Sequence, residues 1–234
     1  VLRTDKFRTG VTIALSNARE RALITYPGAI ESFSARQIDM SLIPRHQHLH
    51  LTSYFLQRAL RKSFPEILRR AKMEGVVTSF DPNSDPTDTW PQSIERVLRF
   101  TDVLFLNERE ALKLTRVKKV EQALRKLSQL VPCTVIKLGP GGAIAASDNQ
   151  VFEDSGFKVT AVDTTGAGDS FDAGFMSAYL RGASISQCLE TGNACGALST
   201  LQPGGTGGQP NQQRLVQFLQ NKRLRSSVSR KRSN

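Results

Sequence analysis

One run constrains this chain more than any other: Asp163-Thr164-Thr165-Gly166-Ala167-Gly168-Asp169-Ser170-Phe171-Asp172-Ala173-Gly174-Phe175. Three small residues, Gly166, Ala167 and Gly168, stand directly before apolar residues at helical spacing, namely Phe171, Phe175, Met176, Tyr179 and Leu180. Small residues at a helix start let backbone N–H groups approach an anion closely, and the helix macrodipole adds partial positive charge there. The run therefore predicts an anion site at the start of a helix over 167–181. Asp169 stands beside that site, a poor place for a carboxylate unless it has a task. One such task is to take the proton of a hydroxyl that attacks a phosphate held by the neighbouring amides. The plainer reading is a Gly-rich helix start with Asp169 as a first-turn dipole partner.

Around this run the chain alternates between strand and helix patterns. Strands are expected over 11–15 and 21–26, around Leu49 and Leu51, and over 76–80, 103–106, 133–138 and 143–147. Helices are expected over 56–74, restarting at Pro65, and over 92–100, 120–130, 167–181, 184–200 and 211–220. This alternation implies βαβ units and an α/β fold, a doubly wound, mostly parallel sheet flanked by helices, in which ligands bind at strand C-terminal ends. A chain of 234 residues is long enough for one such core. No apolar run approaches the roughly 20 residues of a membrane span, and no signal peptide is visible.

The formal charge of +11 is unevenly placed. After residue 210 stand Arg214, Lys222, Arg223, Arg225, Arg230, Lys231 and Arg232 with no acid, which supply seven of those charges. Residues 221–234 read as a basic, disordered tail rather than a specific nucleic-acid or membrane contact. Cys133, Cys188 and Cys195 form no Cys-x-x-Cys pair, which points to reduced thiols and a cytoplasmic setting. His46, His48 and His50 alternate, so a strand would put all three on one face. At about 7 Å between same-face neighbours they converge poorly on one metal ion, and a solvated strand face is the expectation.

The run 163–175 closely resembles the C-terminal signature of the PfkB-type (ribokinase-like) carbohydrate kinases, Asp-Thr-x-Gly-Ala-Gly-Asp-x-Phe followed by a helix rich in small residues. Asn107 to Glu110 resembles that family's Asn-x-x-Glu element. Ile136-Lys137-Leu138-Gly139-Pro140-Gly141-Gly142 resembles its Lys/Thr-Leu-Gly-x-x-Gly segment. Asp81 and Asn83 resemble Asp-x-Asn-x-Arg, with Asp85 where Arg is usual, so an anionic acceptor is in doubt. The resemblance implies an ATP-dependent kinase acting on a hydroxyl of a small sugar-like acceptor. Asp169 would be the general base and the amides of Gly166, Ala167 and Gly168 the anion hole. Lys137, Gly139, Gly142, Asn193 and Gly205 would border the nucleotide, and Asp81, Asn83 and Asp169 the acceptor. Asn107 and Glu110 would order Mg²⁺ through water, and Asp163 and Thr165 a monovalent cation such as K⁺. Asn107 and Glu110 also suit a plain helix cap.

The resemblance covers residues 8–210 and reads as the later part of a family member. Full members begin dozens of residues earlier, with a strand, an acceptor-binding Asp and a Gly-Gly motif. Residues 1–220 are then an N-terminally shortened kinase domain, with 8–30 the remnant of an incomplete small β lid. An exposed sheet edge follows from that shortening, and a homodimer would be one way to cover it. Two other functions fit the same residues: a nucleotide-binding relative that does not transfer phosphate, and a nucleoside kinase of the same superfamily.

Overall fold

Short apolar strands bounded by turn residues dominate both halves of the chain, and helices cover them. The computed structural model describes the backbone of residues 3–16 and 21–231, and these side chains apart from 14, 16, 21–23 and 222–231. The chain forms two compact units, residues 1–106 with 129–132, and residues 107–128 with 133–234.

The first unit opens with β1 (Val11–Ser16) and β2 (Arg21–Tyr26), an antiparallel pair in the register Val11 to Tyr26 and Ile13 to Ile24. These are the two strands expected over 11–15 and 21–26. Val11, Ile13, Ile24 and Tyr26 are all exposed, so the ribbon carries an open apolar face. After α1 (Ala29–Ser32), β3 (His48–Thr52) pairs in parallel with β4 (Val77–Asp81), and β4 pairs in parallel with β5 (Val103–Asn107). Between β3 and β4 lie α2 (Arg58–Arg61) and α3 (Phe64–Met73), which restarts with Pro65 in its first turn as the sequence predicts. Phe64, Ile67, Leu68 and Ala71 share one buried face of α3. The short α4 (Glu95–Leu98) precedes β5. The unit's core is aromatic: Tyr54 meets Phe64 at 5.5 Å and Phe55 meets Trp90 at 5.1 Å, both edge to face.

His46 lies outside β3 and its Nδ1 bonds to its own Leu42 carbonyl at 2.7 Å. His48 and His50 do share a face, and both ring nitrogens stand 2.7 Å from Ser79 Oγ. The three histidines therefore form no common ligand set. Among the described residues no cluster of three or more potential metal ligands exists.

The second unit begins with α5 (Glu108–Thr115) and α6 (Val120–Ser128). β6 (Cys133–Lys137), β7 (Ala143–Ser147) and β8 (Gln150–Asp154) follow as an antiparallel meander. The pairings from β3 to β5 are thus parallel and those from β6 to β8 antiparallel. The link from β6 to β7 is a single 3₁₀ turn at Gly139–Gly141, far shorter than the dozen residues a parallel crossover needs. The sequence reading missed β8, although Asp148 and Asn149, with φ of 50° and 59°, make the tight turn that builds a hairpin.

The unit ends in α7 (Ala167–Tyr179), α8 (Ile185–Ser199) and α9 (Gln212–Lys231). The last extends well beyond the 211–220 expected for it. The expectation of a disordered 221–234 tail falls mainly on residues 222–234, whose side chains lie outside the described residues. Helices α7 and α8 approach closely because Gly174 leaves room: a Cβ there would stand 2.7 Å from Cys195 Sγ. All three thiols are reduced and buried, and burial pushes Cys133 up to about 12 and Cys188 and Cys195 to about 11. They stay protonated at neutral pH and are inert. Among the described residues no helix is long and apolar enough to cross a membrane.

Candidate active site

The turn before α7 takes the shape its small residues allow. Gly166 is the N-cap with φ of 72°, a left-handed conformation, and a Cβ on it would stand 2.6 Å from the Gly205 carbonyl oxygen. The Ala167 N–H donates to Thr164 O at 3.2 Å, and the Ser170 N–H donates to Gly166 O at 2.9 Å. The amides of Gly168 and Asp169 have no acceptor among the described residues. Of the three amides expected to form the hole, that of Ala167 closes the turn, whereas the Gly166 N–H, like those of Gly168 and Asp169, has no acceptor among the described residues. The Asp169 amide is one that sequence reasoning missed. The Asp169 side chain is exposed and makes no hydrogen bond to any described residue.

Asp163 holds the loop before this turn. Its Oδ1 accepts from Thr165 N at 2.8 Å and Thr165 Oγ1 at 2.7 Å, and its Oδ2 accepts from Gly204 N at 2.9 Å. The two residues expected to hold a monovalent cation are thus bonded to each other.

Beside the helix mouth lies a cleft of about 420 Å³, lined by Lys137, Gly139, Gly142, Gly168, Phe171 and Asn193 among others. The structure thereby brings together four residues predicted to border the nucleotide. Gly205 does not line the cleft but backs onto Gly166. Asn193 donates from Nδ2 to Asp154 Oδ1 at 2.6 Å, and the same oxygen accepts from Gly156 N at 2.9 Å. This ties α8 to the end of β8 and forms one wall. The apolar walls are Phe157 and Phe171; Phe171 belongs to the 163–175 run, whereas Phe157 carried no sequence signal.

A second, more open cleft of about 460 Å³ brings Asn107 together with Glu108, Lys113, Lys137 and Gly139. Asn107 Oδ1 accepts from Glu110 N and Glu110 Oε2 accepts from Asn107 N, both at 2.9 Å, a reciprocal cap on α5. Glu110 is buried at 4% exposure and is absent from the cleft lining. Of this pair only Asn107 faces the cleft, and the neighbouring carboxylate is that of Glu108. An amide oxygen, a carboxylate and a cleft wide enough to keep waters fit a hard divalent cation held mainly through water.

In the first unit Asp81 ends β4, and its Oδ1 accepts from Asn83 N at 2.8 Å. Asn83 Oδ1 accepts from Thr52 Oγ1, Ser53 N and Ser53 Oγ at 2.9–3.1 Å. The two thus organise the ends of β3 and β4. Asp85, which departs from the expected Arg, folds into its own loop: its carboxylate accepts from the N–H groups of Thr87, Thr89 and Trp90 at 2.8–2.9 Å. Burial alone would raise its carboxyl, but the bonds from Trp90, Thr87 and Thr89 outweigh it and hold the pKa below the usual value.

An α/β fold with a glycine-lined cleft beside the start of α7 is that of the ribokinase-like class. The chain belongs to the pfkB family of carbohydrate kinases, which matches residues 1–212. It is 34% identical over 185 residues to an ATP-dependent ribose-1-phosphate kinase of Halopiger xanaduensis, covering 79% of this chain and 59% of that protein. It is 29% identical to a fructokinase of Vibrio alginolyticus, covering 89% and 72% respectively. Among solved structures, ribokinase from Thermotoga maritima superposes with a TM-score of 0.76 at 26% identity, covering 92% of this chain and 70% of that one. Fructokinase from Vibrio cholerae, in its fructose-, ADP- and calcium-bound form, superposes at 0.73 with 30% identity, covering 91% and 74%.

Proposed function

We propose that this chain carries out ATP-dependent phosphoryl transfer to a hydroxyl of a small sugar or sugar-like acceptor. The observation that carries the reading is the start of α7, where an exposed carboxylate, Asp169, stands beside the amides of Gly168 and of Asp169 itself, none of which has a partner among the described residues. Such a mouth holds an anionic oxygen on its N–H groups and keeps a base within reach of a hydroxyl attacking it. In this reading Asp169 takes the acceptor proton as the new O–P bond forms and the bond from the γ-phosphorus to the bridging oxygen breaks, ADP leaving with that oxygen. The amides and Lys137 stabilise charge on the transferred group. Lys137, Gly139, Gly142 and Asn193 bind the nucleotide. Asp81 and Asn83 bind the acceptor. Positioning and electrostatics then carry most of the rate.

Mg²⁺, when bound, would neutralise the β- and γ-phosphate oxygens. In this reading Asn107 and Glu108 would hold its waters, with Glu110 fixing Asn107 through the helix cap. The knot of Asp163, Thr165 and Gly204 would be the place for a K⁺ effect. A homodimer would cover the exposed apolar face of β1 and β2, and light scattering of the purified chain tests it.

The reading is tested by a coupled assay with Mg²⁺, with and without K⁺, over a panel of sugars and nucleosides, with Asp169→Asn beside the wild type. Acceptor-dependent turnover lost in the variant, with nucleotide binding retained, is the expected result. Turnover on nucleosides alone would move the acceptor to that class. Equal turnover by Asp169→Asn would overturn Asp169 as the base.

A further inference from the structure

Asp172 has no part in the reading above, yet it is a buried carboxylate of the second unit held in an ion pair. It stands one turn beyond Asp169 on α7, and its side chain is only 5% exposed. Lys137, at the end of β6, donates from Nζ to both its oxygens, at 2.9 and 3.1 Å, and is itself 12% exposed. Nζ also lies 3.4 Å from where a Cβ on Gly168 would stand, and Lys137 lines both clefts described above. The ammonium is therefore held over the first turn of α7, beside the amides of the helix mouth.

We propose that Asp172 is the positioning residue for Lys137 in phosphoryl transfer. The inference rests on the kinase reading. A lysine is a point charge on a flexible four-carbon stem, and left to itself it would sample many positions across an open cleft. The two bonds from Asp172 select one of them, with the charge above Gly168, before any phosphate arrives. Preorganised charge of this kind acts on the transition state without a reorganisation cost at the moment of reaction. Asp172 has a second effect: it offsets part of the lysine's charge in the ground state. Uniform attraction for the nucleotide lowers KM without raising kcat, so tempering it leaves the interaction to strengthen as charge moves onto the transferred group.

This predicts a split that a purely structural carboxylate would not produce. In Asp172→Asn the lysine loses its counter-charge and one of its two acceptor oxygens. The expected result is a fall in kcat of ten- to a hundredfold, the scale set by an ångström of misplacement, with KM for ATP unchanged or lower. Lys137→Met should lose at least as much in kcat and raise KM for ATP. The double variant Lys137→Met/Asp172→Asn should be no slower than Lys137→Met alone, because Asp172 acts only through the lysine.

The experiment measures kcat and KM for ATP in these three variants, with active sites counted by nucleotide titration and thermal unfolding run alongside. Wild-type turnover is measured first. An inactive wild type sinks the kinase reading, whereas an active wild type with an unaffected variant sinks the positioning role alone. Asp172→Asn within twofold of wild-type kcat, or losses that multiply in the double variant, would overturn the proposal. Should Asp172→Asn fail to fold, Lys137→Arg keeps the ion pair but moves the charged tip. A drop in kcat without a rise in KM supports the proposal there, and unchanged kcat counts against it.

Discussion

The backbone N–H of Gly204 donates to Oδ2 of Asp163 at 2.9 Å, across 41 residues of chain. The other oxygen of Asp163 holds Thr165, and Gly166 lies against the carbonyl of Gly205, with no room for a side chain. The loop before α7 and the loop after α8 are thus tied into one knot, and that knot sets the direction of the amides at the helix mouth. Asp163 acts here as a structural tie, whatever ion it also meets.

Asp163→Ala removes three hydrogen bonds, two of them to backbone N–H groups, and leaves those donors to find water. We expect a loss of about 1–3 kcal/mol in stability and a severalfold rise in KM for ATP. Thermal unfolding and nucleotide titration check both. Gly166→Ala adds about 1 kcal/mol of left-handed strain to a contact at 2.6 Å, so it should lose more activity than Asp163→Ala. Equal activity in wild type and Gly166→Ala would show that the turn tolerates a shift.

Asn193 bonds to Asp154 on the wall of the cleft beside the helix mouth, with little exposure of its own. Asn193→Ala opens that wall but leaves Asp154 bonded to Gly156. Calorimetry with ATP should show affinity reduced by about tenfold, worth about 1.4 kcal/mol, while kcat at saturating ATP changes little. Unchanged affinity would place the nucleotide elsewhere.

Asp85 is the hub of its loop, and its carboxyl is held below the usual value of 3.8. A carboxyl with a lowered folded pKa contributes stability that is fully present above its unfolded value and is lost as pH falls through the folded one. Asp85→Asn should cost about 1–3 kcal/mol at pH 7, because its NH₂ meets the Thr89 and Trp90 donors. The gap between variant and wild type should narrow below about pH 4. Urea midpoints at pH 7 and pH 3.5 measure this, and a gap that widens at low pH would contradict it.

Burial, with a smaller push from the adjacent His50, lowers His48 from 6.5 to about 4. The unfolded chain therefore binds a proton below pH 6.5 that the folded chain refuses until about pH 4. Stability should fall as pH drops through that window, by an amount reduced by the partial exposure of the ring. His48→Gln, which cannot titrate, should flatten that part of the profile. An identical slope in the variant would assign the proton uptake to another group.

The sequence by itself determined the local events. Gly166-Ala167-Gly168 before an apolar stripe specified a left-handed turn and a helix start, because only glycine reaches φ of 72° without strain. The spacing Asn107 to Glu110 specified a capped helix, and apolar runs between turn residues specified most strands. β8 and the antiparallel second unit were less legible, since β8 is short and mostly exposed and carries little apolar signal.

Tertiary structure decided which distant groups meet. Lys137 pairs with Asp172 across 35 residues, Asn193 with Asp154 across 39, and Asp163 with Gly204 across 41. It also buried Glu110 under its own helix cap, turned Asp85 into its loop and split the three histidines. Periodicity records which face of an element is buried, and turn residues record where it stops. Neither records which side chain of one element stands opposite a given side chain of another, because strand register and helix approach are set by the packing of the whole core.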